Sequence, residues 1–252
     1  MANPVLEKQF GNAATADAAL QAGAMDRAPT KTGNRMTIGS VIGATFFLLL
    51  LVAGGAAFGW NNATTIWRWW WAVLIGLIIL VIATVANPKL APFTGVIYAV
   101  TQGAFIGALS KQYETFYDGI VFLALTATVS VFLGMLFLYA TGLIKVTQKL
   151  RSVIIIATVG VALFYLISLL LSLFSISVPL ITGASTGALV FSIIVVIIAS
   201  LNLLLDFQVI EYGISQGAPK NFAWFAAFGL MVTIVWLYIE ILRLLAILAS
   251  RR

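Results

Sequence analysis

The sequence predicts an all-α membrane protein, a bundle of seven transmembrane helices with its C-terminal helix at the centre. The first observation is composition: of 252 residues, 62% are hydrophobic and only 9% are charged, with a mean hydropathy of +1.09. Soluble domains carry about 25% charged residues. The second is a series of seven apolar segments. The third is that the last segment carries Glu240 and Arg243 inside its apolar run, and ionisable groups within a membrane usually face a bundle interior.

Six of the seven segments have close to the length of about 17–25 residues that a spanning helix requires. The last has 30 residues, so its first two turns could lie in the membrane interface, or the helix could tilt. A run of tryptophans between the first and second segments is typical of the aromatic belt at a membrane interface. The third segment contains Gly103 and Gly107 in a small-xxx-small pattern, which permits close helix packing. The predicted segments are Ile38–Gly59, Trp69–Val85, Ala91–Leu109, Gly119–Ile144, Ser152–Phe174, Ala184–Ile210 and Asn221–Ser250.

The residues before the first segment differ in composition from the rest of the chain. Residues 1–36 are rich in Ala, Gly, Asn, Thr and charge, which predicts a flexible, solvent-exposed tail. Residues 37–252 form the predicted seven-helix domain. Most Lys and Arg residues of the tail and connections lie on the side of the amino terminus. This bias predicts a cytoplasmic amino terminus in a multi-pass protein of the plasma membrane.

Residue usage excludes several classes of chemistry. The chain has no Cys and no His, which excludes Cys- or His-ligated zinc, haem and iron–sulfur sites and catalysis that depends on a thiol or an imidazole. The net charge of +6 comes from scattered basic residues, without the clustering that indicates nucleic-acid binding. We therefore predict no resident cofactor, no enzymatic activity and no nucleic-acid partner, with the lipid bilayer as the surroundings.

Polar residues of the last two segments fall at helical spacing. In the seventh segment Gly229, Thr233, Trp236, Glu240 and Arg243 follow one another at steps of 4, 3, 4 and 3. Such steps place side chains on one face of a helix. The sixth segment has a comparable stripe, which contains Ser185, Ser192, Ala199, Asn202 and Asp206. The sequence thus predicts two helices that each turn a polar face with one acid towards the bundle interior.

If the two stripes face one another, Asp206 and Glu240 could share a proton, since two adjacent carboxylates do not easily both ionise. The pair would then sense pH, with Asn202, Thr233 and Arg243 in support. When ionised, its oxygens would suit a Ca²⁺ contact. Two alternatives stay open: Glu240 and Arg243 neutralise each other on one helix, and Asp206 is a solvated charge at a helix end. The remaining acids of the connections, Glu114, Asp118 and Glu211, are interpreted as solvated loop charges.

The sequence resembles the Bax inhibitor/YccA-like family, the transmembrane Bax inhibitor motif proteins. The resemblance rests on LLLDFQVIEYGISQGAPK at the end of the sixth segment and LYIEILRLLAIL in the seventh, with ATGLIKVTQKLRS after the fourth. It covers about residues 36–252. It implies a seven-helix bundle around the last helix and a pH-sensitive Ca²⁺ leak governed by an acid pair, at the positions of Asp206 and Glu240. Ca²⁺ or another cation would be the permeant ion.

Two other functions are compatible with these observations. A flexible tail is what a processive protease can grip, so the chain could instead be a non-conducting regulator or substrate of an ATP-dependent membrane protease. An intramembrane hydrolase that uses Asp206 and Glu240 as its acids is disfavoured by the mixed Asp/Glu pair and by the absence of other catalytic motifs.

Overall fold

The computed structural model describes residues 35–174, 176–183 and 185–251. The described residues form helices without a β-strand: α1 (Ile38–Asn61), α2 (Ala63–Arg68), α3 (Trp70–Ala86), α4 (Ala91–Phe116), α5 (Ile120–Ala140), α6 (Gln148–Leu173), α7 (Pro179–Thr182), α8 (Thr186–Ser215) and α9 (Lys220–Ala249). A 3-10 turn, Pro88–Leu90, precedes α4. The predicted tail lies outside the described residues, apart from Arg35 and Met36. The Met36 amide donates to the Ala218 carbonyl at 2.7 Å.

Six of these helices are long and apolar enough to cross a membrane: α1, α4 with its preceding 3-10 turn, α5, α6, α8 and α9. The remaining predicted segment, the second along the chain, corresponds to α3, an apolar helix of 17 residues. At 1.5 Å per residue it is about 25 Å long, shorter than a hydrocarbon core of ~30 Å. An all-helical architecture and the multi-pass membrane character are thus confirmed, with six candidate spans; the count of seven spans and the central position of the last helix stay predictions.

The connection between the last two spans is shorter than the sequence indicates. We predicted that the sixth segment ends near Ile210, but α8 continues to Ser215. Gly217 then takes a positive φ of 61°, and α9 follows directly at Lys220 after Pro219. The turn between α8 and α9 is therefore tight. Asp206 lies nine residues, or about 13 Å, before the end of its helix.

The helix α9 is the most buried of the spans. Sixteen of its thirty residues are buried, against three of twenty-one in α5. It packs against α8, α1, α4 and α5. Its buried side chains include Met231, Leu237 and Leu242, which are completely enclosed. Most large apolar side chains of α5 and α6 are instead exposed, as lipid-facing side chains are.

The most extensive contact between two described helices joins α1 and α4, and glycines allow their backbones to approach closely. A Cβ atom built on Gly59 would overlap the Ala104 carbonyl, and one built on Gly107 would overlap the Ala56 carbonyl. Only residues without a side chain allow two backbones this near. Gly103 and Gly107, which the sequence predicted to allow close helix packing, thus lie where the backbone of α4 contacts the backbone of α1.

Glu114 was interpreted as a solvated loop charge, and this interpretation is wrong. Its carboxylate accepts hydrogen bonds from the Gly119 amide at 2.8 Å and from the Val121 amide at 2.9 Å. These amides stand at the start of α5, where backbone N–H groups have no partner within the helix. Gly119 precedes the helix with a φ of 78°. The side chain at the end of α4 therefore caps the next helix.

We expect the substitution Glu114→Ala to destabilise the protein by about 1 kcal/mol, because helix caps typically contribute that much. Thermal unfolding in detergent micelles would measure the loss. The matched control is Asp118→Ala in the same connection, which removes an exposed carboxylate. Equal stability of the two variants would contradict the capping role.

Candidate functional site

The polar residues predicted on the last two spans occupy two separate places in the structure. Asp206 of α8 faces the first half of α9, whereas Glu240 faces α6 near the other end of α9. No hydrogen bond or ion pair joins the two carboxylates among the described residues. Thr233 neighbours Asp206, and Glu240 lies seven residues further along α9, about 10 Å away along the helix axis.

Asp206 packs against the backbone of α9. A Cβ built on Gly229 would lie 3.6 Å from its Oδ1 atom. The Thr233 side chain lies beside it, and the Thr233 hydroxyl donates to the Gly229 carbonyl at 3.2 Å. The Oδ2 atom of Asp206 is buried and has no hydrogen-bond partner within the described part of the chain. No Lys or Arg forms an ion pair with it there. A buried carboxyl oxygen without a partner is unfavourable, so this position is unusual for a structural acid.

Asn202, one turn before Asp206, does not support that acid directly. Its Nδ2 atom donates to Thr158 Oγ1 of α6 at 2.7 Å and to the Ile198 carbonyl at 2.8 Å. Ser192 and Ala199 of the predicted stripe are fully buried, whereas Ser185 caps the amino terminus of α8. The residues of the stripe thus do not share one partner: Asn202 contacts α6, whereas Asp206 contacts α9.

Glu240 belongs to a buried network with α6. Its Oε1 atom accepts hydrogen bonds from the Tyr165 hydroxyl at 2.7 Å and from Trp236 Nε1 at 3.2 Å. Its Oε2 atom lies 3.6 Å from Arg243 Nη1. Glu240 is 3% exposed and Arg243 9%. This geometry agrees with the alternative given above, in which Glu240 and Arg243 neutralise each other on one helix.

Arg243 extends the network to the segment before α8. Its Nη1 atom donates to the Tyr165 hydroxyl at 2.6 Å, and its Nη2 atom donates to the Leu180 carbonyl of α7 at 2.8 Å. The guanidinium group lies 5.4 Å from the centre of the Phe191 ring, within the range of a cation–π contact. One side chain of α9 thus contacts α6, α7 and α8.

Sequence reasoning missed Tyr165, which connects the acid and the base of this network. It lies in the middle of the apolar run of α6 (VALFYLISL). A tyrosine at that depth is a signal, because a buried hydroxyl requires a hydrogen-bond partner. The partners are on a helix more than seventy residues away in the sequence, which spacing within one helix does not reveal.

The geometry does not combine the two acids into one resident metal site. The described residues contain no group of three or more His, Cys, Asp or Glu side chains that could hold a metal ion. A Ca²⁺ ion takes six to eight oxygen ligands. The arrangement instead has two separate carboxylates, Asp206 on α8 and Glu240 on α9.

A comparison with known families identifies the chain. The family model described as Bax inhibitor 1 like matches residues 3–250, which is nearly the whole sequence. No curated protein matches the chain. The resemblance found in the closing motifs is thereby confirmed, and the chain belongs to the Bax inhibitor 1 like family.

Proposed function

We propose that this protein is a pH-sensitive leak pathway for Ca²⁺, with Asp206 as the group whose protonation closes it. The observation that carries this proposal is the Oδ2 atom of Asp206, which is buried between two candidate spans and has no hydrogen-bond partner among the described residues. In the proposed arrangement α3 is a seventh span, α9 is the centre of the bundle, and the amino terminus is cytoplasmic at the plasma membrane. Membership of the family supports the proposal.

The physical basis is the cost of a charge at this position. Protonated Asp206 is neutral and fits the buried contact with Gly229 and Thr233. Ionised Asp206 has no cationic partner among the described residues, and an unpaired charge within a membrane costs at least ~2.5 kcal/mol. Water or a cation would have to enter to solvate it. Loss of the proton would thereby open the contact between α8 and α9 to ions.

Glu240 would be a second position along the same path. It lies beyond Thr233 by about 10 Å of helix, and its charge is already balanced by Arg243 at 3.6 Å. Tyr165, Trp236 and the nearby Tyr113 surround it. A cation that leaves Asp206 would compete with Arg243 for this carboxylate. In this form of the proposal the two acids act one after the other and do not share a proton.

The test is Ca²⁺ flux into liposomes that contain the purified protein, between about pH 6 and about pH 8. We expect the wild type to conduct faster as pH rises, because Asp206 then carries its charge. In Asp206→Asn, which is neutral at every pH, flux should become pH-insensitive. The matched control Asp118→Asn removes an exposed carboxyl and should retain the wild-type profile.

Two results would contradict this proposal. One is an Asp206→Asn variant that keeps the pH dependence of the wild type. The other is absence of flux at every pH in protein that is correctly folded in the liposomes. The second result would favour a non-conducting role, such as the regulation of a membrane protease.

A further inference from the structure

A groove between α1, α5 and α8 is not used by the proposed leak. Its volume is about 1030 Å³, and its floor is formed by Leu230 and Ile234 of α9. It lies at the end of the bundle where α1 begins and α5 and α8 end. Drug-sized ligands occupy about 300–1,000 Å³, so this groove is large enough for a molecule with a long chain.

The length of the groove corresponds to one leaflet of a bilayer. Along α1 it extends from Ile38 to Leu49, which is eleven residues or about 16 Å. Half of a hydrocarbon core of ~30 Å is about 15 Å. The walls at Ile42 and Phe46 are 62% and 63% exposed, so the groove opens sideways towards the surroundings of the helices. This shape fits the acyl part of a membrane lipid.

The polar side chains that line the groove include one base and one acid at its end. Lys145 supplies a positive charge, and it forms no ion pair with any described residue. Glu211 supplies a negative charge and accepts a hydrogen bond from the Tyr139 hydroxyl. Gln208 donates to the Val146 carbonyl at 3.4 Å, which attaches the connection that carries Lys145 to α8. The mouth therefore offers a positive and a negative group together.

A buried hydroxyl inside the groove is a second, independent observation. Thr45 lines the groove and is 8% exposed, and its Oγ1 atom has no hydrogen-bond partner in the described part of the chain. Other helical threonines, such as Thr84 and Thr128, donate to the carbonyl four residues earlier. Thr45 is seven residues, about 10 Å, beyond the start of the groove. A ligand oxygen that reaches into the groove would be a suitable acceptor for this hydroxyl.

We propose that this groove binds a zwitterionic glycerophospholipid whose headgroup carries a primary ammonium. The phosphate would contact Lys145, the ammonium would donate to Glu211, and an acyl chain would lie between α1 and α5. A headgroup with one phosphate and one ammonium complements the positive charge of Lys145 and the negative charge of Glu211. A purely anionic headgroup would leave Glu211 facing a like charge, which is unfavourable.

Native mass spectrometry of the purified full chain tests this site with two probes, phosphatidylethanolamine and phosphatidylglycerol with identical acyl chains. We expect the wild type to retain one phosphatidylethanolamine in preference to phosphatidylglycerol. Lys145→Ala should weaken the retention of phosphatidylethanolamine about fivefold. Glu211→Gln should abolish the preference between the two lipids. Lys149→Ala, in the first turn of α6 and outside the groove, is the matched control and should behave as the wild type.

A steric pair of variants tests the acyl part separately. Ile42→Trp should fill the groove and exclude both lipids, whereas Leu50→Trp, on an exposed position of α1 outside the groove, should not. Both positions are on the helix surface, so both variants should fold, which circular dichroism would verify. Equal retention of the two lipids by the wild type would overturn the proposal. So would a groove that stays empty in excess lipid or is covered by a second copy of the chain.

Discussion

Replacement of Gly59 by alanine is expected to push α1 away from α4 and to destabilise the bundle by about 3 kcal/mol, the upper part of the range for overpacking. The reason is steric, because the added Cβ would overlap the Ala104 carbonyl, an atom of a rigid helical backbone. A flexible side chain could move aside, but a backbone carbonyl within a helix cannot. Thermal unfolding in detergent micelles would measure the loss.

The same helix provides a matched control for this experiment. Gly54 has no heavy atom within 4 Å of the position that a Cβ would occupy. Alanine is a better helix former than glycine by about 1 kcal/mol, so Gly54→Ala should be neutral or slightly stabilising. If Gly59→Ala proved as stable as Gly54→Ala, the close contact between α1 and α4 would be refuted.

The second large effect is expected at Arg243. The substitution Arg243→Met keeps much of the side-chain volume but leaves Glu240 charged and buried without its base. Removal of one partner of a buried ion pair typically costs about 3–5 kcal/mol. We expect a loss of this size in the unfolding free energy, together with release of the α7 segment, since the bond to the Leu180 carbonyl is also lost.

A double substitution distinguishes the lost charge pair from lost packing. Arg243→Met combined with Glu240→Gln removes both charges and should recover much of the stability. Arg251→Met is the control, because Arg251 forms its hydrogen bond to Thr186 Oγ1, at 2.8 Å, at an exposed site. A double variant no more stable than Arg243→Met would show that the buried charge is not the cause.

The fold class could be predicted because it depends on composition and segment length. Apolar runs of about twenty residues have few alternatives to a spanning helix. The burial of polar residues on α9 could also be predicted, since an acid and a base within an apolar run require partners. The ends of helices were harder to predict. The helix α8 continues through Glu211 to Ser215, although polar residues in this stretch suggest the end of a span.

The partners of the acids could not be predicted. Helical spacing shows that Asp206 and Glu240 each belong to a polar stripe. It does not show the level of contact, that is, which residues of α8 lie opposite which residues of α9. The level is set by the tight turn at Gly217, which places Asp206 opposite Gly229. Glu240 then lies too far along α9 to meet it and contacts Tyr165 of α6 instead. Contacts between distant segments depend on packing that one sequence does not specify.

The bundle does not resist local opening equally everywhere, because α6 is attached less firmly than the other spans. This helix packs chiefly against α8, and its specific attachments are the hydrogen bonds of Thr158 and Tyr165. Polar contacts between membrane helices contribute on average only ~0.6 kcal/mol each. Detachment of α6 would therefore cost far less than separation of α1 from α4. Thermal fluctuation would expose Glu240 along this seam while the rest of the bundle keeps its native packing.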